Sequence, residues 1–178
     1  MDLYLPAIII LISLLLIGYI LIYNTFQRLI IRIGEAEANI SGALDKRFDL
    51  LNRAINIIKG NVKIDKEILE NIVKLRSRKL SDFEMDKELD AATNQFYILK
   101  DEYPDLNKSS NFGELCESLN DTIEQLAAAK KYYNNIVVKY NKLVRLFPSS
   151  IVAFILRYKE KGFHDEIDNM EYVAYNEK

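Results

Sequence analysis

The chain holds a single histidine, His164, and a single cysteine, Cys116, among its 178 residues. These are the side chains that most often ligate metals or attack substrates near neutral pH. A helical bundle that carries a di-iron centre takes Glu-x-x-His pairs from facing helices. Lys161, not a glutamate, stands three residues before His164, so that pairing is not available. Cys116 has no histidine near it in sequence and borders an apolar stripe, which predicts a buried, inert thiol. No glycine-rich phosphate loop is present. The expectation is a protein with no catalytic residues, no metal site and no cofactor.

The remaining residues of note point to packing and surfaces. Tyr133-Asn134 and Tyr140-Asn141 lie one heptad apart, so both pairs share one helix face. Either the tyrosines pack inward while the asparagines hydrogen-bond across a bundle, or Asn134 and Asn141 form a partner surface. Lys130 and Lys131 read as a solvated face, and Tyr103-Pro104 as turn chemistry. The segment Ser149 to Leu156 is apolar, with Ile151, Val152, Phe154, Ile155 and Leu156, and is followed by Arg157, Lys159 and Lys161. It is too short to span a bilayer. It either packs over the end of the bundle or lies in a membrane interface.

The elements that must position these residues begin with an apolar run, Leu3 to Tyr23, of 21 uncharged residues. As a helix it is about 31 Å long, enough to cross a bilayer core. Met1 and Asp2, neither of them basic, precede it, and no small-residue cleavage pattern follows. It therefore reads as an uncleaved anchor rather than a signal peptide. Pro6 falls in the first turn, where its missing N–H costs little. Tyr4, Tyr19 and Tyr23 fit an aromatic belt at the two edges. Arg28 and Arg32 follow the run and nothing basic precedes it, which predicts the N-terminus outside and the remainder in the cytoplasm. Sparse cysteine agrees with a reducing compartment.

Net charge is −2, so no global basic footprint for nucleic acid exists. Six Gly, three Pro and no Trp favour helices. The first helix after the anchor is expected to run straight to Lys59 and stop at Gly60. Its stripe is Ile40, Leu44, Phe48, Leu51, Ile55, Ile58. A second helix is expected from about Lys63 to Leu80. A third opens on the capping box Ser81-Asp82-Phe83-Glu84 and ends before Pro104. The fourth starts with Asn111 and Glu114 as caps and carries the stripe Phe112, Leu115, Leu119, Ile123, Leu126, Tyr133, Val137, Tyr140, Val144, Phe147, with Pro148 as its stop. Short loops between these elements predict an antiparallel four-helix bundle over residues 24–148. A segment 149–163 and an acidic, disordered tail 164–178 follow. Residues 24–34 and 139–161, brought to one end by that topology, hold eight Lys or Arg and only Glu160 as an acid, against 24 and 26 in the whole chain.

Five matches in order make the chain resemble the LemA family. Tyr23-Asn24 follows the apolar run. Leu44-Asp45-Lys46-Arg47-Phe48-Asp49-Leu50-Leu51 is similar to the family's L-K-R-R-x-D-L segment. Lys59-Gly60 and Lys66-Glu67-Ile68-Leu69-Glu70 follow its K-G…K-E-x-L-E pattern. Tyr103-Pro104-Asp105-Leu106 precedes Asn111-Phe112. Tyr133-Asn134, Val137, Tyr140-Asn141 and Phe147-Pro148-Ser149 resemble its Y-N-x-x-V-x-x-Y-N…F-P-S signature. Asn52-Arg53 and Ile64-Asp65 depart from the family's Pro-Asn and His-Glu pairs. The resemblance implies a bacterial, single-pass protein of the cytoplasmic membrane with no established biochemical activity. The expected role is a non-catalytic scaffold or adaptor. The alternative is a regulatory subunit of a membrane protease or signalling complex. Expected partners are membrane lipids, further copies of the chain or an unknown membrane-associated protein.

Overall fold

The computed structural model describes residues 4–61, 80–104 and 110–164, and every regular element among them is a helix. They are α1 (Tyr4–Asn61), α2 (Asp82–Glu102), α3 (Ser110–Arg145) and α4 (Ser149–Ile155). The expected helix from Lys63 to Leu80 and the expected disordered tail beyond His164 lie outside the described residues.

Helix α1 runs without a break through the apolar segment and on to Asn61. Gly60 does not stop it. A glycine inside a helix costs about 1 kcal/mol but does not compel a left-handed cap, and no described glycine has positive φ. From Tyr4 to Leu21 the large apolar side chains are exposed. From Phe26 onward the helix turns amphipathic, and its residues at steps of three and four become buried.

The chain divides into two compact units. The first comprises Met1–Ala36 and Tyr132–Lys178. Its core joins Phe26, Leu29, Ile33 and Ala36 of α1 to Ile136, Val137 and Tyr140 of α3 and to Val152 and Ala153 of α4. The Phe26 ring meets Tyr140 edge-on at 5.8 Å and Tyr158 at 5.1 Å. The second unit is Glu37–Lys131. There α1 buries Ile40, Leu44, Phe48, Leu51, Ala54, Ile55 and Ile58, α2 buries Leu89, Ala92 and Phe96, and α3 buries Phe112, Cys116, Leu119 and Leu126. Phe96 and Phe112 pack at 5.9 Å between ring centres.

The start of α2 follows the expected capping box. Glu84 N–H donates to Ser81 Oγ at 3.3 Å, and Ser81 N–H donates to Glu84 Oε2 at 2.9 Å. The bonds that Glu84 Oε2 accepts from the Ser81 N–H and the Ser81 hydroxyl hold its carboxyl below its usual pKa. Helix α3 departs from expectation at its start and stops ahead of Pro148 as expected. Asn111 lies inside the helix rather than capping it, since Ser110 is already helical. Its last helical residue is Arg145, and Leu146-Phe147-Pro148 form a turn, because a residue before proline is pushed out of the α region. Phe147, expected at the end of the buried stripe, is 80% exposed.

Helix α4 ends in a Schellman cap. Arg157 adopts φ 57°, Arg157 N–H donates to Phe154 C=O at 3.2 Å, and Tyr158 N–H donates to Ala153 C=O at 2.9 Å. That is the six-to-one and five-to-two pattern that closes a helix on a left-handed residue.

Candidate functional site

Two arrangements could carry function, one in each unit. In the second unit, Arg47 occupies the buried stripe of α1, one turn from Leu44 and Leu51, and is 3% exposed. A guanidinium in that position needs anions, because an unpaired buried charge costs several kcal/mol. Helix α2 supplies two, Asp86 and Asp90, with the Thr93 hydroxyl beside them; the three share a face at i, i+4 and i+7. Arg47 Nη1 donates to Asp86 Oδ1 at 3.4 Å, and Nη2 donates to Asp90 Oδ1 at 2.6 Å and to Thr93 Oγ1 at 2.9 Å. The Thr93 hydroxyl donates in turn to Leu89 C=O at 2.6 Å. From α3, Lys130 Nζ pairs with the other Asp86 oxygen. Lys130 is thus not on the solvated face expected for it, because Asp86 draws it in; Lys131 is exposed.

Both Asp86 oxygens are taken by cations, whereas Arg47 Nε is buried without a hydrogen-bond partner and the Asp90 carboxylate is largely exposed. Cys116 is buried, and burial pushes its thiol above the ordinary cysteine range, away from the thiolate that nucleophilic chemistry needs. No cluster of three metal-ligating side chains occurs among the described residues. The network can hold three helices in one register, which is the best-attested use of buried charge. The sequence signal that accompanies it is the interleaving of Asp86, Asp90 and Thr93 with the apolar positions Leu89, Ala92 and Phe96, which does not by itself name Arg47 as their partner.

In the first unit, the repeated Tyr-Asn pairs grip the chain's own C-terminal segment. Asn141 accepts from Lys161 N–H and donates to Lys161 C=O, both at 2.9 Å. Asn134 Oδ1 accepts from His164 N–H at 2.9 Å, and Tyr133 Oη donates to Gly162 C=O at 3.1 Å. Arg145 and Glu160 form a bidentate pair at 2.7 and 2.6 Å. The Arg145 guanidinium holds the Glu160 carboxyl below its usual range. Gln27 Nε2 donates to Tyr158 Oη at 2.7 Å. Asn141, through both its amide atoms, and Asn134, through Oδ1, therefore bind residues 161–164.

The apolar segment that follows Pro148 splits between two environments. Val152 and Ala153 are buried in the core of the first unit, and Leu156 packs against it. Ile151, Phe154 and Ile155 point outward, Phe154 being 85% exposed, and Leu146 and Phe147 are exposed beside them. Arg157 and Lys159 are exposed at the C-terminal end. Of the residues expected at an interface, Val152 and Leu156 face the core instead, because a helix with apolar residues all round can turn only one face to it. The N-terminal part of α1 is long and apolar enough to cross a membrane by length and composition, with none of its most apolar window buried.

A family model described as LemA family matches residues 36–174. Comparison with the curated proteins found no match.

Proposed function

The chain belongs to the LemA family, and on that premise we propose that it is a non-catalytic scaffold or adaptor anchored in a bacterial cytoplasmic membrane. Residues 3–23 cross the bilayer once, with the N-terminus outside. The remaining helices form a cytoplasmic antiparallel bundle. The observation that carries this reading is the change of character along α1. One continuous helix is wholly unburied and apolar up to Leu21, then amphipathic and packed from Phe26. Water would oppose the first part at roughly 25 cal/mol per Å² of apolar surface, and a bilayer would not.

A non-catalytic role is supported by the pairing of both Asp86 oxygens with cations and by the burial that raises the Cys116 thiol pKa. The test has two arms. A C-terminal alkaline phosphatase fusion should be inactive and a C-terminal fluorescent fusion bright; the reverse pattern overturns the orientation. Proximity labelling by the full chain in its native cell should then recover copies of the chain with lipid-shaping proteins if it is a scaffold. Repeated recovery of one protease or signalling complex would instead favour the regulatory-subunit reading.

A further inference from the structure

We propose that the outward face of α4 is a second membrane contact, a short interfacial helix whose Phe147, Ile151, Phe154 and Ile155 enter a lipid surface rich in anionic headgroups. The proposal rests on the reading of residues 3–23 as the spanning segment.

Three observations within the first unit lead to it. The first is position. Tyr158, three residues past α4, packs its ring against Phe26 and accepts a hydrogen bond from Gln27, while Val152 and Ala153 share a buried core with Phe26 and Leu29. Phe26 lies three residues past Tyr23, about 4.5 Å of helix rise. Helix α4 is thus held within about one turn of the point where the apolar run ends, inside the depth of a headgroup layer.

The second is amphipathicity with a fixed inner side. Ser149, Val152 and Ala153 are buried, and the Schellman cap at Arg157 closes the helix. Ile151, Phe154 and Ile155, at i, i+3 and i+4, are left facing outward, and Phe147 in the preceding turn is exposed too. The helix is already formed and oriented by its core side, so inserting the outer face needs little further ordering. Ile20, Leu21 and Tyr23 of α1 are exposed as well.

The third is charge. Arg28, Arg32, Lys139, Lys142, Arg145, Arg157 and Lys159 are all exposed. The acid in the same segments is Glu160, which Arg145 engages. A rim of cations around an apolar wedge matches an anionic lipid surface. An apolar face of four or five side chains is also small for a stable protein–protein contact.

The chain contains no tryptophan, so a single introduced indole reports alone. The full chain carrying Phe154→Trp is reconstituted in phosphatidylglycerol–phosphatidylcholine vesicles with lipids brominated either near the headgroup or near the chain terminus. Leu15→Trp and Ile98→Trp serve as anchor and water references; all three positions are exposed, so the fold should tolerate the change. The indole at position 154 should emit blue-shifted relative to position 98, and should lose most of its intensity to the shallow bromines and little to the deep ones. Removing phosphatidylglycerol or raising salt should weaken that quenching. If position 15 is quenched by deep bromines while position 154 matches position 98, α4 is in water: the inference falls and the anchor reading stands. If position 15 is also unquenched, both fall. If position 154 is blue-shifted but unquenched in every vesicle, protein covers it, and the lipid assignment is overturned.

Discussion

Arg47 and Asn141 show how much a single side chain can settle here. Asp86 faces Arg47 on one oxygen and Lys130 on the other, so Asp86→Ala leaves two cations without their buried anion. The expected loss is about 3–5 kcal/mol in chemical denaturation. Asp90 also binds Arg47, but its side chain is 60% exposed. Asp90→Ala should cost only about 1 kcal/mol, since solvent, Asp86 and Thr93 still serve the guanidinium. Equal losses for the two variants would mean that the Asp86 pair is not the centre of the network. Asn141→Ala removes both bonds to the Lys161 peptide and should destabilise by about 1–3 kcal/mol. Hydrogen exchange at the Lys161 amide should rise with it, while Asn141→Asp, which keeps the acceptor, should protect that amide partly. The Arg145–Glu160 pair contributes less than about 1 kcal/mol, being exposed. Because folding lowers the Glu160 pKa, that contribution is present above the ordinary carboxylate range and is lost as pH falls through the lowered value. Glu160→Gln should remove this small pH dependence of the melting temperature.

At the scale of elements, helix ends are where local chemistry and tertiary demand meet. Ser81→Ala takes away the Oγ acceptor at the start of α2 and should cost about 1 kcal/mol. At the other extreme, Arg157 holds a left-handed conformation that costs an L-residue about 1–2 kcal/mol. Arg157→Gly should therefore stabilise the chain by up to about 1 kcal/mol in urea titration, and Arg157→Val should weaken it. A neutral result for both would argue that the cap is not formed in solution. The capping box of α2 was legible because Ser81 and Glu84 are three residues apart and need nothing else. The end of α3 was not. Pro148 marks a stop, but only the packing of Val152 and Ala153 shows that the chain turns at once into another helix.

For the whole molecule, the core of the first unit begins at Phe26, and cutting before Thr25 removes only the partly buried Ile22 from it. A chain starting at Thr25 should be soluble and highly helical by circular dichroism, and should no longer sediment with membranes at high salt. Leu119→Asp in that chain places a charge at a fully buried position and should cost several kcal/mol. An unchanged melting temperature would mean that α3 packs in another register.

The sequence by itself determined the apolar run, the helical class and most buried positions of α1 and α3, because each follows from periodicity within one segment. Ile40, Leu44, Phe48, Leu51, Ile55 and Ile58 were all readable in this way and are all buried. Tertiary structure alone decided the destinations of the polar groups. Arg47 meets Asp86 across 39 residues, and Asn134 meets His164 across 30. It alone divided the segment after Pro148 into a buried and an outward face. A one-dimensional pattern records which side chains avoid water; which charge answers which, and which apolar face is left over, depends on the elements that arrive beside it.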